Sequence, residues 1–458
     1  MEKAKKPDNS YAIIEGVIWK QILIFFFPIL LGTFFQQLYN TADAMIVGKY
    51  VSKQALAAVG GATGNLINLI VGFFVGLSSG ATVIISQFYG ARQDKQVSRT
   101  VHTALAMALA AGVLITGIGL ALSPWMLELI GTPKDVMEPA LIYIRIYFLG
   151  MTPSLIYNVG SGILRAVGDS RRPLYFLMAA CLTNIVLDVL LVVGCEMGVA
   201  GAAWATIISQ TVSAALVLIV LMRSHTACHV DWKRIRFHGD LLPRIIRIGL
   251  PMGLQSVMYS VSNVIIQASI NSFGTDVSAA WSAWGRLDGF FWMVLNAFGI
   301  SITTFVGQNF GARRYDRVKK GVWQCLLMAL AAAILFSSAL LLFGRSFFGI
   351  FTNESAVVDE GMRILTCIAP YFATYVCVEI LAGAVRGAGE SLMPTVLTLF
   401  GVCVLRLVWL LIFVPMNRTV ERTLFSYPMT WTVTSLMYIV YYLKGGWLKK
   451  CQARLNLS

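Results

Sequence analysis

The chain has 458 residues, of which 57% are hydrophobic and only 13% charged, and its mean hydropathy is +0.73. Such a balance excludes an ordinary water-soluble domain. The formal net charge of +14 raises the question of nucleic acid, but the way the charges are distributed answers it differently, as follows.

A helix needs roughly 20 apolar residues to cross the hydrocarbon core. Runs of that kind recur at 17–48, 56–88, 96–123, 136–165, 173–196, 200–222, 241–270, 277–308, 317–344, 357–386, 394–415 and 424–443. They are continuous and do not alternate, so they read as helices and not as barrel strands. The first run follows Met1-Glu2-Lys3-Ala4-Lys5-Lys6. It is too long for the apolar part of a cleaved signal and is expected to stay as a membrane helix. Pro28 in the first run and Pro153 in the fourth each remove a backbone hydrogen bond and are expected to kink their helices.

With both termini placed in the cytoplasm, the inner loops hold most of the basic residues. Arg92, Lys95, Arg99, Arg171 and Arg172 lie on that side, as do Lys233, Arg234, Arg313, Arg314 and Lys319. The outer loops hold few. This is the positive-inside bias, which sets orientation and not partner choice, so no nucleic acid is implied. The expected partners are the bilayer and a small molecule. The expected location is the cytoplasmic membrane.

A short pattern occurs twice. Gln87, Gly90, Ala91 and Arg92 recur 221 residues later as Gln308, Gly311, Ala312 and Arg313. Gly162, Arg165, Gly168, Ser170 and Pro173 recur as Gly383, Arg386, Gly389, Ser391 and Pro394, and Asp169 is answered by Glu390. The expected division is an N-lobe at 1–222 with six helices, a basic linker at 223–240, and a C-lobe at 241–458 with six more. An even count per half makes the repeat parallel, about an axis along the membrane normal. Glycines such as Gly72, Gly76, Gly80, Gly112, Gly117 and Gly119 are expected to let helices approach closely. The duplicated halves mean that one chain can enclose a full pathway, so a monomer suffices.

A charge at the bilayer centre costs about 2.5–3.5 kcal/mol on insertion scales, so intramembrane carboxylates need a reason. The first half carries Asp43 and Asp188. Gln36, Asn40 and Asp43 fall at i, i+4 and i+7 on one face of the first helix. Asn184 and Asp188 share a face of the fifth, and Thr206 and Gln210 a face of the sixth. Such groups can glue helices together by hydrogen bonds. Two acids in an apolar lobe also call for protons or for a hard cation such as sodium held by oxygen ligands. The second half does not copy the arrangement, because Trp409 and Leu405 stand where Asp188 and Asn184 would recur.

That half has a feature of its own. Trp281, Trp284, Asp288 and Trp292 lie on one face of the eighth helix. Indoles beside a carboxylate suit an organic cation, and tryptophans near a helix start also suit the interfacial belt. Glu379 and Arg406 are further charges within apolar runs, placed so that they could pair with each other. His225, Cys228 and His229 are close in sequence but lack the further ligands of a metal site. No His-Glu-x-x-His pattern or intramembrane serine–histidine pair points to an enzyme.

With these residues in place the chain resembles the multidrug and toxic compound extrusion family over nearly its whole length. The resemblance rests on Asn40-Thr41-Ala42-Asp43 with Gly48, on the Gln87/Gly90-Ala91-Arg92 block and its copy, and on Leu164-Arg165-Ala166-Val167-Gly168-Asp169-Ser170. Asn184-Ile185-Val186-Leu187-Asp188 and the run Gly198 to Thr206 complete it. It implies an all-α membrane fold of twelve helices in two six-helix lobes, a central cavity that alternates between faces, and no cofactor. It implies export of drugs, organic cations or other amphipathic molecules in exchange for sodium or protons. By resemblance the ion site falls on Asp43, Asn184, Asp188 and Thr206, which would also be the metal ligands if the ion is sodium. Substrate contacts are expected from Gln36, Asn40, Trp284, Asp288 and Trp292. Asp288 stands where the family more often has glutamate. The alternative within the superfamily is a flippase for lipid-linked precursors or oligosaccharides.

Overall fold

The computed structural model describes residues 12–352 and 354–456, which leaves the opening Met1–Lys6 stretch outside the described residues. Among those residues there are only helices and their connections. Twelve helical spans follow one another. The first six are α1 (Ile18–Tyr50), α2 (Ala62–Gly90), α3 (Asp94–Leu129), α4 (Lys134–Leu149 continued by Met151–Ala166), α5 (Arg171–Asp188 continued by Val189–Gly194) and α6 (Gly198–Met222). The second six are α7 (Leu242–Asn271), α8 (Thr275–Gly311), α9 (Tyr315–Gly349), α10 (Ser355–Ile368 continued by Phe372–Gly387), α11 (from Leu392 to Met416) and α12 (Ser426–Lys444). Nine of them are long and apolar enough to cross a membrane, and a tenth is α4, whose two parts meet at 50°. That bend sits at Gly150, just before Pro153, which has no amide proton to return to Leu149.

The repeated sequence motifs are helix stops and starts. In α2 the amides of Ala91 and Gln93 return to the carbonyls of Gln87 and Phe88 at 2.9 Å each. Closing that turn needs a left-handed residue, and Arg92 supplies it at φ 57°. In α8 the amides of Ala312 and Arg314 return to Gln308 and Asn309 at 3.0 and 2.8 Å, and Arg313 has φ 58°. After α4 and α10 the left-handed place is taken by Gly168 (φ 98°) and Gly389 (φ 91°), where a side chain would be strained. The acid that follows each glycine caps the next helix. Asp169 Oδ1 accepts from the amides of Arg171 and Arg172 at 3.2 and 3.1 Å. Glu390 Oε1 accepts from Leu392 and Met393 at 3.1 and 3.4 Å. The substitution of Asp by Glu between the halves therefore keeps the cap.

The chain forms two compact units, and these do not part at the linker. Unit 1 takes Phe27–Gly253, and unit 2 takes Ile13–Phe26 with Leu254–Ser458. Each half thus lends the opening leg of its first helix to the other unit, and the legs end beside Pro28 and Pro251. In unit 2 the lent segment is tied by its carbonyls. Arg314 Nη1 donates to Ile14 O at 3.0 Å, and Arg317 Nη2 donates to Gly16 O at 2.7 Å. In unit 1 the linker is tied to α3. Arg99 pairs with Asp240 at 2.8 Å, and the Asp231 amide donates to His102 Nε2 at 3.1 Å.

The lent leg of α7 lies against α2 through glycines on both helices. A Cβ on Gly76 would stand 2.6 Å from the Gly253 nitrogen, and one on Gly80 would stand 2.7 Å from the Gly249 nitrogen. Two small residues four apart on each helix let the backbones approach this closely. Gly112 and Gly119 in α3 serve in the same way, against Thr152 and Phe148, whereas a Cβ on Gly117 would meet nothing within 4 Å.

Candidate ion and solute sites

In unit 1 the three polar stripes converge in part. Asp43 from α1 is 4% exposed, Asn184 and Asp188 from α5 are fully buried, and Thr206 from α6 is 3% exposed. Asp43 has Asp188, Asn184 and Thr206 as its immediate polar neighbours. Thr206 Oγ1 lies 3.2 Å from Asp43 Oδ2 and 2.9 Å from Ala202 O, between which its proton is shared. Asp188 closes the regular part of α5, which widens into a π-helix at Val189–Gly194. Such widening is a frequent mark of functional sites. Val47, Tyr143, Val192, Val199, Ala202 and Ala203 form the apolar wall of this region.

The polar atoms of the site are largely unmatched. Asp43 Oδ1, both carboxylate oxygens of Asp188 and the Asn184 carboxamide have no hydrogen-bond partner among the described residues. Two ionised carboxylates side by side cannot donate to each other, and their charges repel. A proton shared between them, or a cation ligated by their oxygens with those of Asn184 and Thr206, removes both costs. The donor set is all oxygen, which fits sodium or a proton and does not fit a thiophilic metal. Among the described residues no cluster of three or more His, Cys, Asp or Glu is gathered to hold a metal ion. His225, Cys228 and His229 do not converge either: Cys228 is buried, and His229 Nδ1 is taken by Ser224 O at 3.0 Å.

Gln36 and Asn40 are exposed, unlike Asp43. Helical spacing puts the three on one stripe, but only its Asp43 end is covered by neighbouring helices. Three residues that the stripes did not reveal are Tyr39, Tyr143 and Tyr147, which lie within electrostatic reach of Asp43. Tyr147 OH accepts from Gln210 Nε2 at 3.5 Å. The signal available in the sequence was the i, i+4 spacing of Tyr143 and Tyr147 on the same side of α4.

In unit 2 one face of α8 carries Trp281, Gly285, Asp288, Gly289 and Trp292. Trp292 Nε1 donates to Asp288 Oδ2 at 2.7 Å, while Asp288 Oδ1 has no partner among the described residues. A Cβ on Gly285 or Gly289 would meet nothing within 4 Å, so this face is open beside the carboxylate. Trp292 packs edge-on against Tyr375 and Trp431, with ring centroids at 4.8 and 6.1 Å. Trp284 belongs to the packed interior: it is 2% exposed and stacks on Phe372 at 6.0 Å.

Glu379 and Arg406 do not form the expected ion pair. Glu379 faces α8, where its carboxylate fills the space a side chain on Gly299 would need. Arg406 faces α12. Its Nη2 donates to Thr430 Oγ1 at 3.3 Å, and its Cζ lies 4.1 Å from the Tyr427 ring centroid. The two helices present these charges in different directions, which spacing along each helix cannot tell.

The comparisons with known proteins bear on the family and the fold. The MatE family model matches residues 28–190 and again 251–412, once in each half. "Probable multidrug resistance protein YoeA" of Bacillus subtilis is 27% identical over 99% of this chain and 100% of its own. "Multidrug export protein MepA" of Staphylococcus aureus is 21% identical over 79% of each chain. A solved structure described as the outward-facing conformation of a multidrug resistance MATE family transporter superposes with a TM-score of 0.90 at 22% identity, covering 98% of this chain and 99% of that one. The chain belongs to the MatE family of multidrug efflux transporters, and it is accordingly a multi-pass membrane transporter and not an enzyme.

Proposed function

We propose that the protein is a secondary antiporter that exports cationic or amphipathic small molecules by alternating access. The observation that carries this reading is the pair of adjacent buried carboxyls, Asp43 and Asp188, with three of their four oxygens unpartnered among the described residues. Such groups are costly in a membrane protein unless a small ion visits them. Asp43, Asn184, Asp188 and Thr206 hold the coupling ion, sodium or a proton. The open face of α8 takes the organic solute, with Asp288 opposite its positive charge and Trp292 against its rings. The pathway is complete in one chain.

The test is accumulation of a fluorescent organic cation by inverted vesicles. Sodium is varied at fixed pH, then pH at fixed sodium. One of the two gradients drives uptake beyond equilibrium and its collapse reverses the uptake. Dye that only equilibrates under either gradient overturns the assignment.

The orientation belongs to the same proposal: both termini and the linker face the cytoplasm, and the α5–α6 turn faces outward. Cys195 in that turn is exposed. In a variant that keeps only Cys195, a membrane-impermeant maleimide is expected to label intact cells. Labelling only after permeabilisation contradicts the orientation. A second variant that keeps only Cys228, in the linker, is expected to stay unlabelled in intact and in permeabilised cells. Cys228 is buried, and burial, with nearby Asp94, pushes its thiol up to about 12, so little reactive thiolate forms.

A further inference from the structure

Arg406 is the least explained charge in unit 2. It is 2% exposed, its Nε has no hydrogen-bond partner among the described residues, and none of the ion pairs formed among them includes it. A buried guanidinium without a carboxylate is costly in an apolar setting. Two of its neighbours lie in the first turns of α12. Thr430 Oγ1 accepts from Nη2 at 3.3 Å, and Cζ lies 4.1 Å from the centroid of the Tyr427 ring. One turn before Thr430 stands Ser426, fully buried, whose hydroxyl also has no partner among the described residues. The Arg406 Nε–H and the Ser426 hydroxyl, each without a partner among the described residues, are donors of the kind a carboxylate accepts from.

The neighbouring residues lead back to the α8 face. Tyr427 lies within electrostatic reach of both Arg406 and Asp288. Its ring packs edge-on against Trp431 at 5.5 Å and stands 5.9 Å from Trp281. Tyr427, Trp281, Trp292 and Asp288 are all half-buried. A basic group and an acidic group thus flank one aromatic cluster, each with an unspent polar atom and neither paired with the other.

We propose that Arg406, with Ser426 and Thr430, is a carboxylate subsite that adapts unit 2 to amphoteric aromatic solutes, whose anion it holds while their cationic part lies toward Asp288. This rests on the reading that unit 2 takes the organic solute. Its test measures binding alone, which needs no ion gradient. Two xanthene dyes are compared by fluorescence polarisation on protein in nanodiscs: one with a free benzoate, and its methyl ester, a plain cation of the same shape. The wild-type protein binds the acid more tightly than the ester. Arg406→Gln weakens the acid by about 10-fold or more and moves the ester less than about twofold, as loss of a charge-assisted contact requires. Ser426→Ala keeps the arginine and weakens the acid alone by about threefold. If Arg406→Gln does not fold, Ser426→Ala decides. A wild-type protein without preference for the acid overturns the proposal. So does a variant in which acid and ester move together, or one in which neither moves. Gradient-driven export of the ester by wild-type vesicles tests the transport reading separately.

Discussion

Asp188→Asn and Asp43→Asn are each expected to abolish gradient-driven export while leaving binding of the organic cation within a few-fold of wild type. The substitution is nearly isosteric. It keeps an oxygen at the site but removes the charge proposed to load the ion. The expected fall in uphill transport is about 100-fold, the upper end of typical coupling energies between two sites. The solute face proposed on α8 lies in unit 2, whereas both aspartates lie in unit 1, so binding and coupling are expected to separate in one assay. Equal loss of dye binding and of transport would instead make the aspartates part of the packing. Thr206→Ala is a milder change, because Thr206 gives only one shared hydroxyl to Asp43.

The second large effect concerns stability. Gly249→Ala places a methyl group 2.8 Å from the carbonyl carbon of Leu77, with the carbonyl oxygen closer still. Backbone cannot swing aside as a side chain can, so α7 must move away from α2. The expected cost is about 1–3 kcal/mol, the usual range for overpacking, seen as a lower unfolding temperature in detergent. Gly117→Ala is the matched control, since its methyl group meets nothing within 4 Å. Equal behaviour of the two variants would remove the argument that the lent leg of α7 is held by backbone contact.

The sequence carried much of this in local form. Hydropathy located the twelve spans because each must satisfy its own backbone in lipid. The fixed offset between Gln87 and Gln308 exposed the duplication, and the structure explains its residues as helix stops and caps. Asp43, Asn184, Asp188 and Thr206 were legible because polarity inside an apolar run is costly and therefore conspicuous. Other features depend on how one helix faces the next. Gln36 and Asn40 share the Asp43 stripe yet stay exposed. Tyr143 and Tyr147 escaped notice because a tyrosine reads as apolar until a carboxylate is found beside it. Glu379 and Arg406 looked like a pair because charge was visible and direction was not. The exchange of opening legs between units was hidden for the same reason, since no composition shift marks Phe26 or Gly253.

The core of the account is that one carboxyl pair, Asp43 with Asp188, exchanges a proton or sodium during transport. Infrared difference spectroscopy on the purified protein reads carboxyl groups directly. A protonated-carboxyl band is expected that disappears when pH is raised or sodium is added, and that is missing from the Asp43→Asn, Asp188→Asn double variant. A band that persists in the double variant, or a spectrum that responds to neither ion, would contradict it.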